Sequence, residues 1–139
     1  MKTVDEKLFI APQLDEAAIR LAAAKGVRKI INNRPDGEEP GQPSAAHNRK
    51  IAEDLGMSYA HIPVTPGQVS EEQVREFQKE MAQAEGPVVA HCKSGARALT
   101  LWAIGEVLDG RMNKNDIAKL GERMGVDIGG ARKWLDSRS

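Results

Sequence analysis

The 139-residue sequence has one cysteine, few aromatic residues, no excess charge of either sign and no long apolar run. One cysteine cannot form an internal disulfide or a multi-cysteine zinc site. Twenty basic side chains balance twenty acidic ones, so the overall charge does not favour nucleic acid or an anionic membrane as a partner. No segment approaches the ~18 apolar residues of a membrane span, and the first residues lack the apolar core of a signal peptide. We therefore expect a cytoplasmic protein that binds neither nucleic acid nor a membrane.

The order of apolar and polar residues indicates one α/β domain spanning residues 1–139. At this length, folding buries roughly two thirds of the unfolded surface, which is enough for an ordinary core. The predicted strands lie at 8–11, 27–31, 58–62 and 87–90. The predicted helices lie at 14–25, 44–55, 70–85, 97–108, 113–124 and 130–135. This alternation favours a central, mostly parallel sheet flanked by helices, with the loops after Ile31, Ile62 and His91 at one edge.

The cysteine stands where a predicted strand turns into a predicted helix, in His91-Cys92-Lys93-Ser94-Gly95-Ala96-Arg97. Backbone N–H groups and the positive end of a helix dipole stabilise a thiolate there, and Arg97 adds a positive charge. Such a thiolate attacks electrophiles. The same groups bind an anion such as phosphate, sulfate or thiosulfate. We predict that Cys92 is the nucleophile and that the Lys93, Ser94, Gly95 and Ala96 backbone, together with Arg97, forms an anion cradle.

The alternative for Cys92 is a buried, inert thiol at the end of a core strand, which is a common fate of a single cysteine. That alternative does not explain two neighbouring residues. Gly95 gives the turn backbone freedom that a side chain would obstruct. Arg97 follows the thiol by five positions, where a loop that curls back aims it at the same anion.

Three sequence blocks in a fixed order carry a family resemblance. They are Ile30-Ile31-Asn32-Asn33-Arg34-Pro35-Asp36-Gly37-Glu38, then His61-Ile62-Pro63-Val64, then the segment from Gly86 to Arg97 followed by Leu101-Trp102. Together they resemble the phosphatase-like domain of bacterial beta-lactamase hydrolase-like proteins, within the wider group of cysteine-dependent phosphatases and rhodaneses. The resemblance implies a tyrosine-phosphatase-like fold. It also implies that His91 supports the loop by hydrogen bonding and does not attack the substrate.

The length of the cysteine loop bears on the reaction. Four residues separate Cys92 from Arg97, whereas tyrosine-phosphatase signatures have five and the rhodanese pattern Cys-x-x-Gly-x-Arg has four. Positions 64–68, where related phosphatases carry an aspartic acid, hold no carboxylic acid, and Ala98 replaces the usual serine or threonine. Sulfur transfer needs no such acid, because sulfite and thiolates leave unprotonated. We therefore predict that Cys92 takes sulfur from a small anionic donor as a persulfide and passes it to a thiol or cyanide.

Two other functions stay open. The first is a cysteine-dependent phosphatase that hydrolyses a phosphoester through a phosphocysteine, with Asp36 as general acid and Glu38 in reserve. Asp36 is equally explained as a turn residue that bonds the backbone near it. The second is a sensor that binds an anion or is oxidised without turnover. Arg34 either joins the anion cradle or pairs with a carboxylate.

The remaining candidate ligands and aromatic residues have ordinary explanations. The three histidines show no metal-ligand spacing, so we expect no metal and no cofactor. His47 and His61 fit a helix face and a strand end. Trp102 and Trp134 fit the core. The sequence does not specify the sulfur donor, the acceptor, the phosphoester or the oligomeric state.

Overall fold

The computed structural model describes residues 1–138, which form one five-stranded sheet with helices on both faces. The strands are β1 (Lys2–Thr3), β2 (Leu8–Ala11), β3 (Lys29–Asn32), β4 (Ser58–His61) and β5 (Val88–His91). The helices are α1 (Glu16–Ala24), α2 (Ala45–Asp54), α3 (Glu71–Gln83), α4 (Ala96–Leu108), α5 (Ile117–Met124) and α6 (Gly129–Asp136), with a 3-10 turn at Lys114–Asp116 before α5. The strand order is β1-β2-β5-β3-β4, and only β1 pairs antiparallel. The predicted α/β class is confirmed.

Alternating side chains divide the core into two layers. Ile31 and Ala90 belong to the layer that contains Phe77 of α3 and Leu101 of α4. Their neighbours in the strands, including Ile30, belong to the opposite layer, with residues of α1 and α2. Successive residues of a strand point to opposite faces, so the near-continuous apolar runs of β3 and β5 are what a sheet covered on both sides requires.

The register of the parallel strands brings four strand ends to one edge. Ala11 lies beside His91, His91 beside Asn32, and Asn32 beside His61. The loops that follow β3, β4 and β5 therefore leave from the same edge of the sheet, as the alternation of strands and helices predicted. Ligand sites of open parallel sheets form at this edge.

Side-chain caps mark the starts of three of the six α-helices. Asp15 caps α1 and Ser44 caps α2, and Ser70 and Gln73 form the predicted capping box at the start of α3. The sequence patterns did not predict β1, because Lys2 and Thr3 are exposed and show no apolar alternation. β3 begins at Lys29 and ends at Asn32, later at both ends than the predicted strand 27–31. It ends later because Asn32 completes the ladder with β4 and β5 although its side chain is polar.

Two further results concern residues 1–138 as a whole. None of their helices is both long and apolar enough to cross a lipid bilayer. Within the same range, no three histidine, cysteine, aspartate or glutamate side chains are grouped so that they could hold a metal ion.

Candidate active site

The cysteine loop joins β5 to α4 and places the Cys92 sulfur beneath a backbone N–H group. Cys92 is 1% exposed, and the Gly95 N–H donates a hydrogen bond of 3.0 Å to its Sγ atom. Gly95 has a φ of 97°, a left-handed conformation that glycine adopts without strain. A Cβ atom there would lie 3.4 Å from the Ala11 carbonyl oxygen. That distance is an ordinary van der Waals contact, so the predicted need for glycine comes from the left-handed turn itself.

The other backbone amides of the loop are arranged for an anion. The N–H groups of Lys93 and Ser94 donate to no group among residues 1–138. The Ala96 N–H lies 3.3 Å from the Ser94 Oγ atom, and α4 begins at Ala96. The positive end of a 13-residue helix is thus placed immediately beyond the sulfur. The N–H groups of Lys93 and Ser94 are therefore open to an anion, those of Gly95 and Ala96 have partners within the loop, and the four-residue cradle stays a prediction.

Arg97 is held by two groups from other loops. Its Nη1 atom donates to the Val64 carbonyl oxygen at 2.9 Å and to Glu38 Oε2 at 2.8 Å, while Nη2 donates to Glu38 Oε1 at 2.9 Å. These bonds occupy the end of the guanidinium. The edge formed by Nε–H and the second Nη2 hydrogen donates to no oxygen or nitrogen atom of residues 1–138, and the nearby Cys92 sulfur interacts with the guanidinium. That edge is the one that can bind two oxygens of an anion side-on.

The partner carboxylate further stabilises the charge of a guanidinium that is already a cation at neutral pH. Hydrogen bonds to Glu38 raise the pKa of Arg97, and the nearby Cys92 sulfur adds a smaller electrostatic contribution in the same direction. In turn, hydrogen bonds from Arg97, with smaller contributions from Arg34, lower the pKa of Glu38 to about 2. Glu38 is therefore ionised at neutral pH, and in this arrangement it holds no proton to give to a leaving group. It was predicted only as a reserve acid.

Arg34 lies behind this carboxylate. Its side chain is buried, and three of its five N–H groups have partners: Nε donates to Glu38 at 2.8 Å, Nη2 to Glu39 at 2.8 Å, and Nη1 to Gln13 at 3.1 Å. This geometry favours the second explanation of Arg34, as the partner of a carboxylate, and an anion contact from it stays a prediction. Lys93 is exposed and pairs with Glu39 at 3.0 Å, a surface ion pair that adds little stability and offsets the charge of Lys93 at the loop.

Asp36 serves the backbone of the neighbouring helix. Its Oδ1 atom accepts a hydrogen bond of 2.8 Å from the N–H of Ala45, the first residue of α2. The first N–H groups of a helix have no partner within the helix, so this bond supplies one. The geometry favours the structural explanation of Asp36, and its role as general acid stays a prediction.

His91 is buried directly below the loop. It is 0% exposed, its Nε2 atom has no partner among residues 1–138, and its Nδ1 atom lies 3.5 Å from the Cys92 carbonyl oxygen. Burial lowers the pKa of His91 to about 4, so the ring is neutral at pH 7. A neutral ring below the loop is consistent with the predicted supporting role. The Nε2 atom of His61 lies 2.8 Å from the Arg34 carbonyl oxygen.

Asn33 connects three strand ends, and sequence reasoning gave it no role. Its N–H donates to the His91 carbonyl oxygen at 2.8 Å, and its Nδ2 atom donates to the Ile62 carbonyl oxygen at 2.9 Å. Its own carbonyl oxygen accepts from the Val64 N–H at 3.0 Å. Because Val64 holds Arg97, Asn33 links the cysteine loop to the loop that positions the guanidinium. The only signal for this role in the sequence was a polar residue directly after an apolar strand.

Comparison with known proteins was made for the whole chain. Residues 1–109 match the family model for the phosphatase-like domain of beta-lactamase hydrolase-like proteins. A beta-lactamase hydrolase-like protein of Agrobacterium fabrum is 47% identical over 136 residues, which cover 98% of this chain and 32% of the relative. The chain thus spans about a third of the length of the curated relatives it matches.

Solved structures show the same similarity in three dimensions. A Neisseria meningitidis structure described as a "putative phosphatase" is 35% identical, with a TM-score of 0.87, and the match covers 99% of this chain and 96% of that one. A structure described as Tk-PTP in the active form is 17% identical, with a TM-score of 0.76 and coverage of 98% and 93%, a likeness of fold. The mostly parallel sheet flanked by helices is therefore a fold that this chain shares with both structures.

The first prediction concerns the Glu38–Arg97 pair. The pKa of Glu38 is 4.5 unperturbed and about 2 in the folded protein, so its ionisation stabilises the fold above pH 4.5. This contribution is lost as pH falls from about 4.5 to about 2. We expect Glu38→Gln to lower the free energy of unfolding at pH 7 and to remove part of the stability that the wild type loses in acid, measured by urea unfolding at pH 7 and pH 3.

Glu16→Gln, which alters an exposed ion pair on α1, is the control. Equal stability of Glu38→Gln and wild type at both pH values would contradict the prediction.

The second prediction concerns His91. Its pKa is 6.5 unperturbed and about 4 when folded, so below pH 6.5 the unfolded chain takes up a proton that the folded chain does not. Stability is therefore expected to fall between pH 6.5 and pH 4. In His91→Gln this slope should be flatter, whatever the loss of stability at pH 7. The measurement is the urea midpoint across that window, with the exposed His47→Gln as control. An identical slope in wild type and His91→Gln would show that the ring is not kept neutral.

Proposed function

This chain belongs to the phosphatase-like domain family of beta-lactamase hydrolase-like proteins, and we propose that it is a cysteine-dependent phosphatase that hydrolyses phosphate monoesters. The family resemblance predicted from the sequence is confirmed. The comparisons favour the phosphatase interpretation, the alternative at the sequence level, and give no support to sulfur transfer. The observation that carries the proposal is the side-on edge of Arg97, which no oxygen or nitrogen atom of residues 1–138 occupies, near the Cys92 thiol and the unpaired N–H groups of its loop.

The reaction proceeds in two displacements at phosphorus. The Cys92 thiolate forms an S–P bond while the P–O bond to the leaving group breaks, and the leaving oxygen keeps the electron pair. Water then forms a P–O bond, the S–P bond breaks, and its electrons return to sulfur, which releases inorganic phosphate. The Arg97 edge and the Lys93 and Ser94 N–H groups bind the phosphoryl oxygens throughout.

The state of the carboxyl groups restricts the substrate. Glu38 is ionised between Arg97 and Arg34, and Asp36 bonds the backbone of α2. Positions 64–68 carry no carboxylic acid. A leaving group that departs without a proton is therefore required, and a phenolate meets this condition better than an alkoxide because a phenol, like tyrosine, has a pKa of about 10. We infer a preference for aryl over alkyl phosphates.

Sulfur transfer is the second candidate function, and one specific observation favours it. The loop has four residues between Cys92 and Arg97, as in the rhodanese pattern, and Ala98 follows the arginine. A persulfide also needs no general acid. In this case, a small anionic donor such as thiosulfate would occupy the same cradle, and a thiol would accept the sulfur.

Intact mass separates these candidates. After incubation with phenyl phosphate and an acid quench, we expect the wild-type protein to carry a phosphoryl group and Cys92→Ser to carry none. Free phosphate should accumulate only with the wild type. Incubation with thiosulfate is the parallel experiment. A gain of one sulfur without any phosphoryl adduct would overturn the proposal in favour of sulfur transfer, and the absence of both adducts would favour a sensor.

The role of Asp36 is tested by a pair of variants. Asparagine keeps the oxygen that accepts the Ala45 N–H and removes the acid, whereas alanine removes both. We expect Asp36→Ala to lose about 1 kcal/mol of stability and Asp36→Asn to remain near wild type, with phenyl phosphate turnover retained in both. The measurements are urea unfolding and steady-state rates. If Asp36→Asn loses turnover at unchanged stability, Asp36 is the general acid after all.

A further inference from the structure

We infer that Asn48 of α2 is a positioning residue for the anion cradle, and that it acts on His91 through one buried water molecule. The water donates one hydrogen bond to the Asn48 Oδ1 atom and another to the His91 Nε2 atom. This role goes beyond the proposed function, because it concerns how the cradle is held and applies to any anion that the cradle binds.

Asn48 and His91 each carry a buried side-chain atom that has no hydrogen-bond partner among residues 1–138. These atoms are Oδ1 of Asn48, a residue that is 1% exposed, and Nε2 of His91, which is 0% exposed. A buried polar atom without a partner costs free energy, so such atoms nearly always bond the protein or an ordered water. Neither atom is accessible to bulk solvent, so an internal water is the partner available to both.

The fold brings both residues to the same side of the sheet. Val89 lies in the core layer of α1 and α2, and His91, two residues further along β5, points the same way. Asn48 lies on the buried face of α2, together with Ala45 and Ala52 of the same layer. The two side chains therefore point into this layer from opposite directions.

A hydrogen bond of Asn48 places both residues at the same edge of the sheet. Its Nδ2 atom donates to the carbonyl oxygen of Leu14, which follows β2, at 3.1 Å. Because α2 packs beside β4, the amide reaches from β4 towards β2 and crosses the ends of β5 and β3, which lie between them. His91 is the last residue of β5. The unpartnered Oδ1 and Nε2 atoms thus belong to one buried space below the cysteine loop.

The tautomer of His91 makes water the fitting partner. The Cys92 carbonyl oxygen, which can only accept a hydrogen bond, lies 3.5 Å from His91 Nδ1, so the hydrogen of the neutral ring belongs on Nδ1. Burial lowers the pKa of His91 to about 4, and His61 and Arg34 act in the same direction, so the ring is neutral at pH 7. Nε2 is then an acceptor, as is the Asn48 oxygen, and two acceptors cannot bond each other. A water molecule has two hydrogens and satisfies both.

The effect on the cradle passes through a single peptide unit. The Cys92 carbonyl group and the Lys93 N–H group belong to the same trans peptide, so they point in opposite directions. A His91 ring that holds the carbonyl from below therefore aims the N–H of Lys93 away from the ring, towards the anion. That N–H donates to no group among residues 1–138. Asn48 thus fixes the ring, the ring fixes the peptide, and the peptide presents a donor to the anion.

The affinity for inorganic phosphate tests this role without requiring turnover. We expect Asn48→Leu to raise the Kd for phosphate about tenfold at pH 7, because an N–H that bonds a charged group loses its alignment. In a His91→Gln background, Asn48→Leu should change the Kd by less than about twofold, since the ring through which it acts is gone. The measurement is isothermal titration calorimetry. Tyr59→Phe removes a buried hydroxyl that bonds Asn32 in the same layer, and as the control it should keep the wild-type Kd.

A measurement on the unmodified chain serves if Asn48→Leu does not fold. In protein labelled with ¹⁵N-histidine, the chemical shifts of the imidazole nitrogens give the tautomer of each ring and show whether its bare nitrogen accepts a hydrogen bond. We expect His91 to carry its hydrogen on Nδ1 and to accept a hydrogen bond at Nε2. The spectrum of His91→Gln identifies the His91 signals among those of the three histidines.

The outcomes separate this role from the proposed function. An unchanged Kd in Asn48→Leu, the same rise in both backgrounds, an equal rise in Tyr59→Phe, or a hydrogen on Nε2 of wild-type His91 would each overturn it. A wild type that does not bind phosphate rejects the cradle and the role of Asn48 together. A chain that shows the expected Kd values and tautomer but forms no phosphoryl adduct keeps the role of Asn48 and rejects the phosphatase function.

Discussion

The ion pair between Arg97 and Glu38 determines what the rest of the site can do. The carboxylate binds the end of the guanidinium through both oxygens, and Val64 fixes it from a third direction. An unrestrained arginine would lose side-chain entropy each time it bound an anion. Here that cost is met during folding, and the edge that remains is the one suited to two phosphoryl oxygens. The same pair removes Glu38 from consideration as an acid.

The sheet supplies the rigidity that this pair needs. Arg97 lies at the start of α4, Glu38 after β3 and Val64 after β4, so three loops must keep a common geometry. Asn33 provides this by bonding backbone groups from the ends of β4 and β5. Because these bonds are buried, breaking one leaves a polar group without a partner at a cost of about 1–3 kcal/mol. Asn33 therefore helps to position Arg97 through its hydrogen bonds to the backbone of the neighbouring loops.

Local features of the site were predictable from the sequence, and distant pairings were not. The strand, the glycine turn and the helix around Cys92 depend on neighbouring residues, so the cysteine loop could be predicted. Glu38 and Arg97 are 59 positions apart, and nothing local indicates their pairing. Asp36 was ambiguous because an aspartate in a loop fits both a turn and an acid. The hydrogen bond from Trp134 Nε1 to the Val69 carbonyl oxygen depends on how α6 packs, which no periodicity specifies.

The short loop and the engaged carboxylates together explain why one site resembles two reaction classes. Phosphoryl and sulfane-sulfur transfer both need a cysteine nucleophile, N–H groups for an anion and a fixed cation, and the end of β5 brings together Cys92, unpaired loop N–H groups and Arg97. They differ in the leaving group, since an alkoxide needs a proton whereas a phenolate, sulfite or thiolate does not. With Glu38 held ionised and Asp36 bonded to α2, the proposed function favours substrates whose leaving group departs without a proton.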